Sequence, residues 1–274
     1  MAYLQGQKYA LATMHKKEQV IAPILNCEFG LEVVVPENFN SDLFGTFTKE
    51  VERTGDQLEA ARKKAEQAMK QTGLKLAVSS EGSFGPHPSF PYLAYNRELV
   101  LFIDQDEDLE ITGYVANSET NFARKEVTSF DEAFDFGLSV GFPEHGLIVS
   151  AGDKLEVYKG ITTEKQLREA VKLSKKVWVE TDMRAMFNPT RMKNIELATL
   201  DLVKKLNSLC PKCDARGFEV VESKKGLPCC SCRLPTGLIL SHLYECKKCQ
   251  HKEELFYPNG QKQADPAFCQ MCNP

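Results

Sequence analysis

The 274-residue chain is short of several things, and each shortage removes a class of protein. No run of about 20 apolar residues occurs, which excludes a membrane-spanning helix and a membrane partner. The first residues, MAYLQGQKYALATMHKKEQ, hold no apolar stretch of roughly 7–15 residues behind a basic start. No export signal is therefore expected, and the chain reads as cytoplasmic. Basic residues are not in excess: 34 Lys and Arg face 38 Asp and Glu, a net charge of −4. Residues 206–274 carry nine basic and seven acidic groups, leaving 25 against 31 in the rest. Neither part has the basic surplus that phosphate neutralisation needs, so nucleic acid is not an expected partner. Low-complexity tracts are missing as well. Cysteine is nearly absent from the first 209 residues, where Cys27 stands alone.

What is present begins with the other nine cysteines. Eight of them form four C-x-x-C pairs: Cys210/Cys213, Cys229/Cys232, Cys246/Cys249 and Cys269/Cys272, with 15, 13 and 19 residues between pairs. Two sulfurs three positions apart reach one tetrahedral zinc from a tight turn, and a second pair closes the site. Four pairs imply two zincs, which with eight thiolates add −4 to this segment. The segment lacks the apolar content to fold unaided, so something must staple it. Without export the thiols stay reduced, and metal is preferred to disulfides. All-cysteine ligation closes each site to water, so the zincs are expected to be structural. Cys229, rather than Cys230, keeps the spacing to Cys232; His242 and His251 are not needed as ligands. Cys27, in an apolar stretch, reads as a small buried hydrophobe.

The pairs can be divided between two zincs in three ways. GFEVVESKKGLPC reads as a hairpin with Lys224, Lys225 and Gly226 at its tip, and HKEELFYPNGQKQADPAFC as another around Pro258, Asn259 and Gly260. LILSHLYE reads as one continuous strand separating the second pair from the third. Neighbouring pairs are thus expected to share a zinc: Cys210, Cys213, Cys229 and Cys232 on one, Cys246, Cys249, Cys269 and Cys272 on the other. The rival encloses Cys229/Cys232 with Cys246/Cys249.

Residues 1–205 read as an α/β domain with a mixed sheet sandwiched by helices, followed by a zinc-ribbon-like domain over 206–274. Strands are predicted over 9–13, 31–35, 74–80, 98–104, 109–116, 145–151 and 176–181. Helices are predicted from His15 to Gly30 and from a capping box at Thr54–Gln57 to Gly73. Others run from Ser129 to about Gly141, from Thr163, and from about Met192 toward Cys210. Ligands in such sheets bind beyond the carboxyl ends of the parallel strands, and three polar clusters follow strands. Thr13, His15, Lys16 and Lys17 follow the first; the lysines at a helix start suit phosphate, or form a solvated charged turn. SEGSFGPHP, taken as a loop, follows the third. There Glu81 could hold magnesium, Ser83 could touch substrate and His87 could serve as acid or base. The loop could equally be structural. Asp182, Arg184, Asn188 and Arg191 follow the last strand; the arginines suit phosphate or carboxylate, or Asp182 pairs with one of them and locks the loop.

Taken whole, SEGSFGPHP, VGFPEHGLIV, ETDMRAMFNPTRM and the closing CxxCNP resemble an uncharacterised domain-of-unknown-function family. Residues 9–117 also resemble, distantly, the inosine triphosphate pyrophosphatase and Maf-like nucleotide-cleaning superfamily. LATMHKKE, LEVVV, TGDQLEAARKKA and LAVSSEGSF follow that superfamily's order of phosphate loop, strand, helix and magnesium-binding acidic loop. The resemblance implies Thr13, Glu59, Ala61, Lys64, Ala65 and Glu81 as counterparts. His15 replaces an expected Asn, the lysines shift by one, Ala60 replaces an Asn and Glu81 replaces an Asp.

Two functions follow as expectations. The first is a magnesium-dependent hydrolase of a nucleotide or other phosphorylated small molecule, with Glu81 at the metal and Lys16, Lys17, Arg184 and Arg191 on the substrate. The second is a non-catalytic module that senses a ligand or binds a protein partner, with the zinc domain as a structural lid.

Overall fold

The computed structural model describes residues 4–39, 56–151 and 156–274. Its contacts divide into two units, Met1–Val203 and Lys204–Pro274.

The first sheet of the N-terminal unit is mixed. It is built from β1 (Lys8–Ala12), β2 (Glu32–Val34), β3 (Leu76–Pro86), β4 (Ala94–Asp104) and β5 (Leu109–Asn117), in the order β2-β1-β3-β4-β5. β1 runs parallel to β2 and β3, while β3, β4 and β5 are antiparallel neighbours. Helix α1 (Glu18–Phe29) connects β1 to β2. It buries Ile21, Leu25 and Phe29, one residue per turn, and ends at Gly30 with φ 66°. Cys27 lies about half a turn from that stripe and is exposed, which corrects its reading as a core residue.

Helix α2 (Gln57–Thr72) starts at Asp56, whose carboxylate accepts the Glu59 N–H at 2.8 Å. The Thr54 and Gly55 of the expected capping box lie outside the described residues. Alanines 61, 65 and 68 give α2 a smooth buried face, close enough that Ser79 of β3 donates to the Ala61 carbonyl at 2.7 Å. The opposite face is covered by α5 (Pro189–Asn207), which starts three residues earlier than Met192. A Cβ on Gly113 of β5 would lie 2.1 Å from the Ala198 carbonyl oxygen, so only glycine permits this approach.

SEGSFGP is strand, not loop. β3 continues through it, paired residue by residue with β4 from Leu76↔Asp104 to Pro86↔Ala94. The glycines and proline suggested a turn, but ladder pairing to β4 outweighs local propensity.

A second, fully antiparallel sheet, absent from the sequence reading, has the order β6-β9-β7-β8. Its strands are β6 (Arg124–Val127), β7 (Leu147–Ala151), β8 (Val157–Ile161) and β9 (Val177–Thr181). β6 reads RKEV and β8 reads VYKGI, too short and polar to announce themselves. Helices α3 (Phe130–Ser139) and α4 (Glu164–Ala170) start at the Ser129 and Thr163 caps that the sequence suggests. Phe136, Phe142, Leu147, Val149, Leu167 and Val179 lie in the core between these helices and the sheet.

The C-terminal unit is a three-stranded antiparallel sheet: β10 (Glu219–Lys225), β11 (Ile239–Glu245) and β12 (Lys252–Phe256), in that order. Among the described residues, no helix is long and apolar enough to cross a membrane.

Candidate functional site

All four C-x-x-C pairs fold into the same small turn. In each, the N–H of the residue after the second cysteine donates to the carbonyl of the first: Asp214 to Cys210, Arg233 to Cys229, Gln250 to Cys246 and Asn273 to Cys269. Asp214, Arg233 and Gln250 adopt positive φ to do so. Such a turn points both sulfurs to one side, where backbone N–H groups also face them. Cys246 is drawn down to about 7: burial opposes this, and the N–H groups of Cys249 and Lys248 outweigh it. Cys269 is drawn down to about 7 by the N–H groups of Cys272 and Met271. One cysteine of each centre thus favours its thiolate, while Cys213, against the pull of the Ala215 N–H, and Cys272 are pushed up to about 12 by neighbouring sulfurs and burial.

The sulfurs converge in two groups of four, Cys210, Cys213, Cys246 and Cys249, and Cys229, Cys232, Cys269 and Cys272. Within each group all four lie within 4.8 Å of one another. Cys210–Cys249 and Cys213–Cys246 are 3.6 and 3.7 Å apart, Cys229–Cys272 and Cys232–Cys269 3.9 and 3.5 Å. Ligands of a tetrahedral zinc at about 2.3 Å stand about 3.8 Å apart, so each group could hold one zinc. Cys230 is exposed and outside both groups.

The division of the pairs is the crossed one, first with third and second with fourth, which overturns both the neighbour arrangement and its enclosing rival. The reason is β10. Lys224 and Lys225 do not turn; they pair with Ser241 and Ile239 of β11. β10 therefore carries the chain from the first pair to the far end of the sheet, about 3.3 Å per residue. β11 brings it back, so that Glu245, just before Cys246, lies beside Glu219. β12 carries it out again. Pairs reached after an even number of crossings share an end, and so share a metal. His251 stacks on Phe218 at 6.0 Å beside the first group, which is packing rather than ligation.

In the N-terminal unit, β1 stops pairing with β3 at Ala12↔Ser79, and the next residues of β3 are Ser80 and Glu81. Around this step the structure buries five charged side chains: Lys17 (6% exposed), Lys64 (7%), Glu81 (3%), Glu98 (0%) and Arg191 (2%). Lys17, at the start of α1, donates from Nζ to the Ser80 carbonyl at 2.9 Å and to Ser80 Oγ at 2.8 Å. Lys64 pairs with Glu81 from the α2 side. Arg191 donates from Nε to Glu98 Oε1 at 2.7 Å, from Nη1 to the Met183 carbonyl, and through its backbone N–H to the capping Asn188 side chain. Gly82 makes the Arg191–Glu98 pair possible. A Cβ there would stand 2.4 Å from Glu98 Oε1 and 2.8 Å from Arg191 Nη2.

Lys17 is strongly perturbed. Burial, then the charge of Arg191, lowers it from 10.5 to about 7, against the pull of Glu81 and Glu98. An unfolded chain keeps that proton to about pH 10.5, the folded chain only to about 7. Between the two, unfolding takes up a proton, so stability rises with pH. Wild type should gain up to about 1.4 kcal/mol per pH unit relative to Lys17→Met across this window. Urea unfolding followed by Trp178, the only tryptophan, at pH 7 and 9.5 measures it. Parallel stabilities for the two proteins would mean Lys17 is not buried as described.

Of the other candidates, Thr13 and His15 follow β1 at this same step and the rest lie elsewhere. Thr13 is buried and its Oγ1 accepts the His15 N–H at 3.2 Å; His15 is itself buried. Lys16, exposed at φ 59°, lines a separate cleft of about 490 Å3 with Gln19, Glu144, Met186, Met192 and Lys193. Arg184 grips Asp182 at 2.6 Å, and Asp182 also accepts the Gly160 N–H, so this pair locks its loop. His87 sits at the β3–β4 hairpin tip, its Nδ1 accepting the Ser89 and Phe90 N–H groups. Ser83 accepts from Arg97 at 3.2 Å.

Glu98 was missed as a site residue, and Lys64 was marked only through the superfamily resemblance. Both carried a signal. Lys64 falls on the alanine stripe of α2, and Glu98 shares a strand face with the buried Val100 and Phe102. A charge on an apolar stripe needs a partner.

A mixed α/β unit with a buried charged cluster, followed by a sheet carrying two four-cysteine centres, defines the class. The chain belongs to the family described as Domain of unknown function (DUF6671), which matches residues 64–274. No curated protein matches it.

Proposed function

We propose that the N-terminal unit hydrolyses a nucleotide or another phosphorylated small molecule, at the step where β3 outruns β1. The observation that carries this reading is the buried ammonium of Lys17 beside Arg191 and Lys64. With Lys17 protonated, the described residues around this step hold three cations and two carboxylates: the Lys64–Glu81 pair on the α2 face, the Arg191–Glu98 pair on the α5 face, and Lys17. That is an excess of one positive charge in a place shielded from water. Such an arrangement is costly by itself, and buried ion pairs rarely stabilise a fold more than apolar packing would. A phosphate neutralises the excess, and its charge restores the Lys17 proton at neutral pH.

Lys17 would bind the phosphate, and Arg191, held by Glu98 and the Met183 carbonyl, would orient it. Glu81, steadied by Lys64, would take a proton from the attacking water. Magnesium needs only one or two protein carboxylates beside phosphate oxygens and water, and Glu81 is the residue that would hold it. When bound it would offset charge on the phosphate. Lys64 and Glu81, counterparts in the nucleotide-cleaning superfamily, lie in contact, which supports the resemblance. Arg184 and His87, engaged elsewhere, take no part. The four-cysteine centres hold the C-terminal unit together; four thiolates leave a zinc no position for substrate.

The test is a panel of nucleoside triphosphates with magnesium. Glu81→Gln should lower turnover by roughly 10²–10⁴-fold. Turnover no greater than that of Glu81→Gln on every member removes the hydrolase, and retained Lys17-dependent binding would then leave a sensing module.

A further inference from the structure

Helix α5 has two faces. Ile195, Ala198 and Leu202 are fully buried, and Ala198 and Leu202 meet the first sheet at Gly113. The opposite face is an exposed stripe at helical spacing: Pro189, Lys193, Glu196, Leu197 and Leu200. Leu197 and Leu200 are 40% and 46% exposed, although neither is needed to hold the helix to the sheet. The cleft of about 490 Å3 adjoins the first half of this stripe. Pro189, Met192, Lys193 and Glu196 line it from α5, and Val20 and Met186 face them. A single exposed leucine needs no explanation, but here a pair of them follows a methionine-lined hollow along one helix. Between the leucines and the hollow stand one cation and one anion, and neither has an ion-pair partner among the described residues. Knob, hole and opposite charges on the same element are the parts of a self-complementary surface.

We propose that this stripe pairs with a second copy of the chain, two α5 helices packing antiparallel about a two-fold axis level with residues 194 and 195. At about 1.5 Å per residue, Lys193 and Glu196 lie about 2 Å to either side of that level, so Lys193 of each copy meets Glu196 of the other. Met192 and Leu197 lie about 4 Å out, and Pro189 and Leu200 about 8 Å, again on opposite sides. Leu197 and Leu200 of each copy therefore enter the cleft of the other. Rival pairings fail on charge. Sliding the axis four residues along sets Glu196 against Asp201 and leaves both clefts empty, and a parallel pair sets Lys193 against Lys193. The interface does not depend on what the buried cluster binds.

The experiment is sedimentation equilibrium of the full, zinc-loaded chain at low ionic strength, over roughly 1–100 μM. The mass should rise from 30.8 kDa toward twice that value. Lys193→Glu and Glu196→Lys should each weaken the dimer about tenfold or more, since each sets like charges face to face. Mixed in equal amounts, the two variants should regain the wild-type association, because every like pair becomes an opposite one. The chain carrying both substitutions should regain it alone. Leu197→Asp with Leu200→Asp should abolish association and leave Trp178 fluorescence unmoved. If that variant does not fold, the charge variants decide. Monomer at every concentration overturns the proposal. A dimer that survives Leu197→Asp with Leu200→Asp is held by another surface and also overturns it. Charge variants that associate like wild type, or that mixing does not restore, mean that Lys193 and Glu196 do not face each other, and overturn the two-fold pairing.

Discussion

Stripping zinc should unfold residues 204–274 and leave the N-terminal unit folded. The C-terminal unit has little else to hold it: all five residues of β12 are exposed, and the core beside the first centre is Cys210, Phe218 and Cys246. Structural zinc contributes on the order of 10 kcal/mol at neutral pH, more than such a core can replace. Hydrogen exchange after chelation should show amide protection lost in β10, β11 and β12, while Trp178 fluorescence is unmoved. Paired substitutions then test which cysteines share a metal. Cys213→Ser with Cys249→Ser removes two ligands from one centre and should leave one zinc per chain. Cys213→Ser with Cys232→Ser strikes both centres and should leave none. Were neighbouring pairs to share a metal, these stoichiometries would be reversed, so metal content by atomic absorption decides.

How much of this could be read beforehand depended on whether the signal was local. A C-x-x-C turn is built from its own residues, so the eight cysteines were visible as four pairs. Which pair meets which is set by the strand between them. There the sequence misled, because Lys224-Lys225-Gly226 resembles a hairpin tip while the two lysines continue β10. The length argument that made LILSHLYE a spacer applied equally to GFEVVESKK. Helices α2, α3 and α4 were legible through their caps or glycine stops, which are also local. β6 and β8 were not, because four or five half-exposed residues carry no periodicity. In the N-terminal unit the sequence marked Lys17, Glu81 and Arg191 by their places after strands. It did not mark Glu98 or explain Gly82, since both answer to Arg191, which lies 93 residues from Glu98 in the chain.

That long-range pair makes a severe test of the buried cluster. Arg191→Met should destabilise the N-terminal unit by about 3–5 kcal/mol, because it leaves the fully buried Glu98 charged and alone. Removing both charges, as Arg191→Met with Glu98→Gln, should recover much of that loss, since replacing a buried pair by uncharged groups is often close to neutral. Urea unfolding read by Trp178 gives the four corners of the cycle, and the coupling should exceed about 1 kcal/mol. Gly82→Ala reaches the same pair without changing a charge. Its methyl would stand 2.4 Å from Glu98 Oε1, so the carboxylate must move off Arg191 and the substitution should cost about 1–3 kcal/mol. If Arg191→Met costs less than about 1 kcal/mol, Glu98 is not a buried anion held by Arg191, and the charge count given for the cluster is wrong. If the double variant matches wild type in stability but no longer binds phosphate compounds, the pair is kept for the ligand and not for the fold.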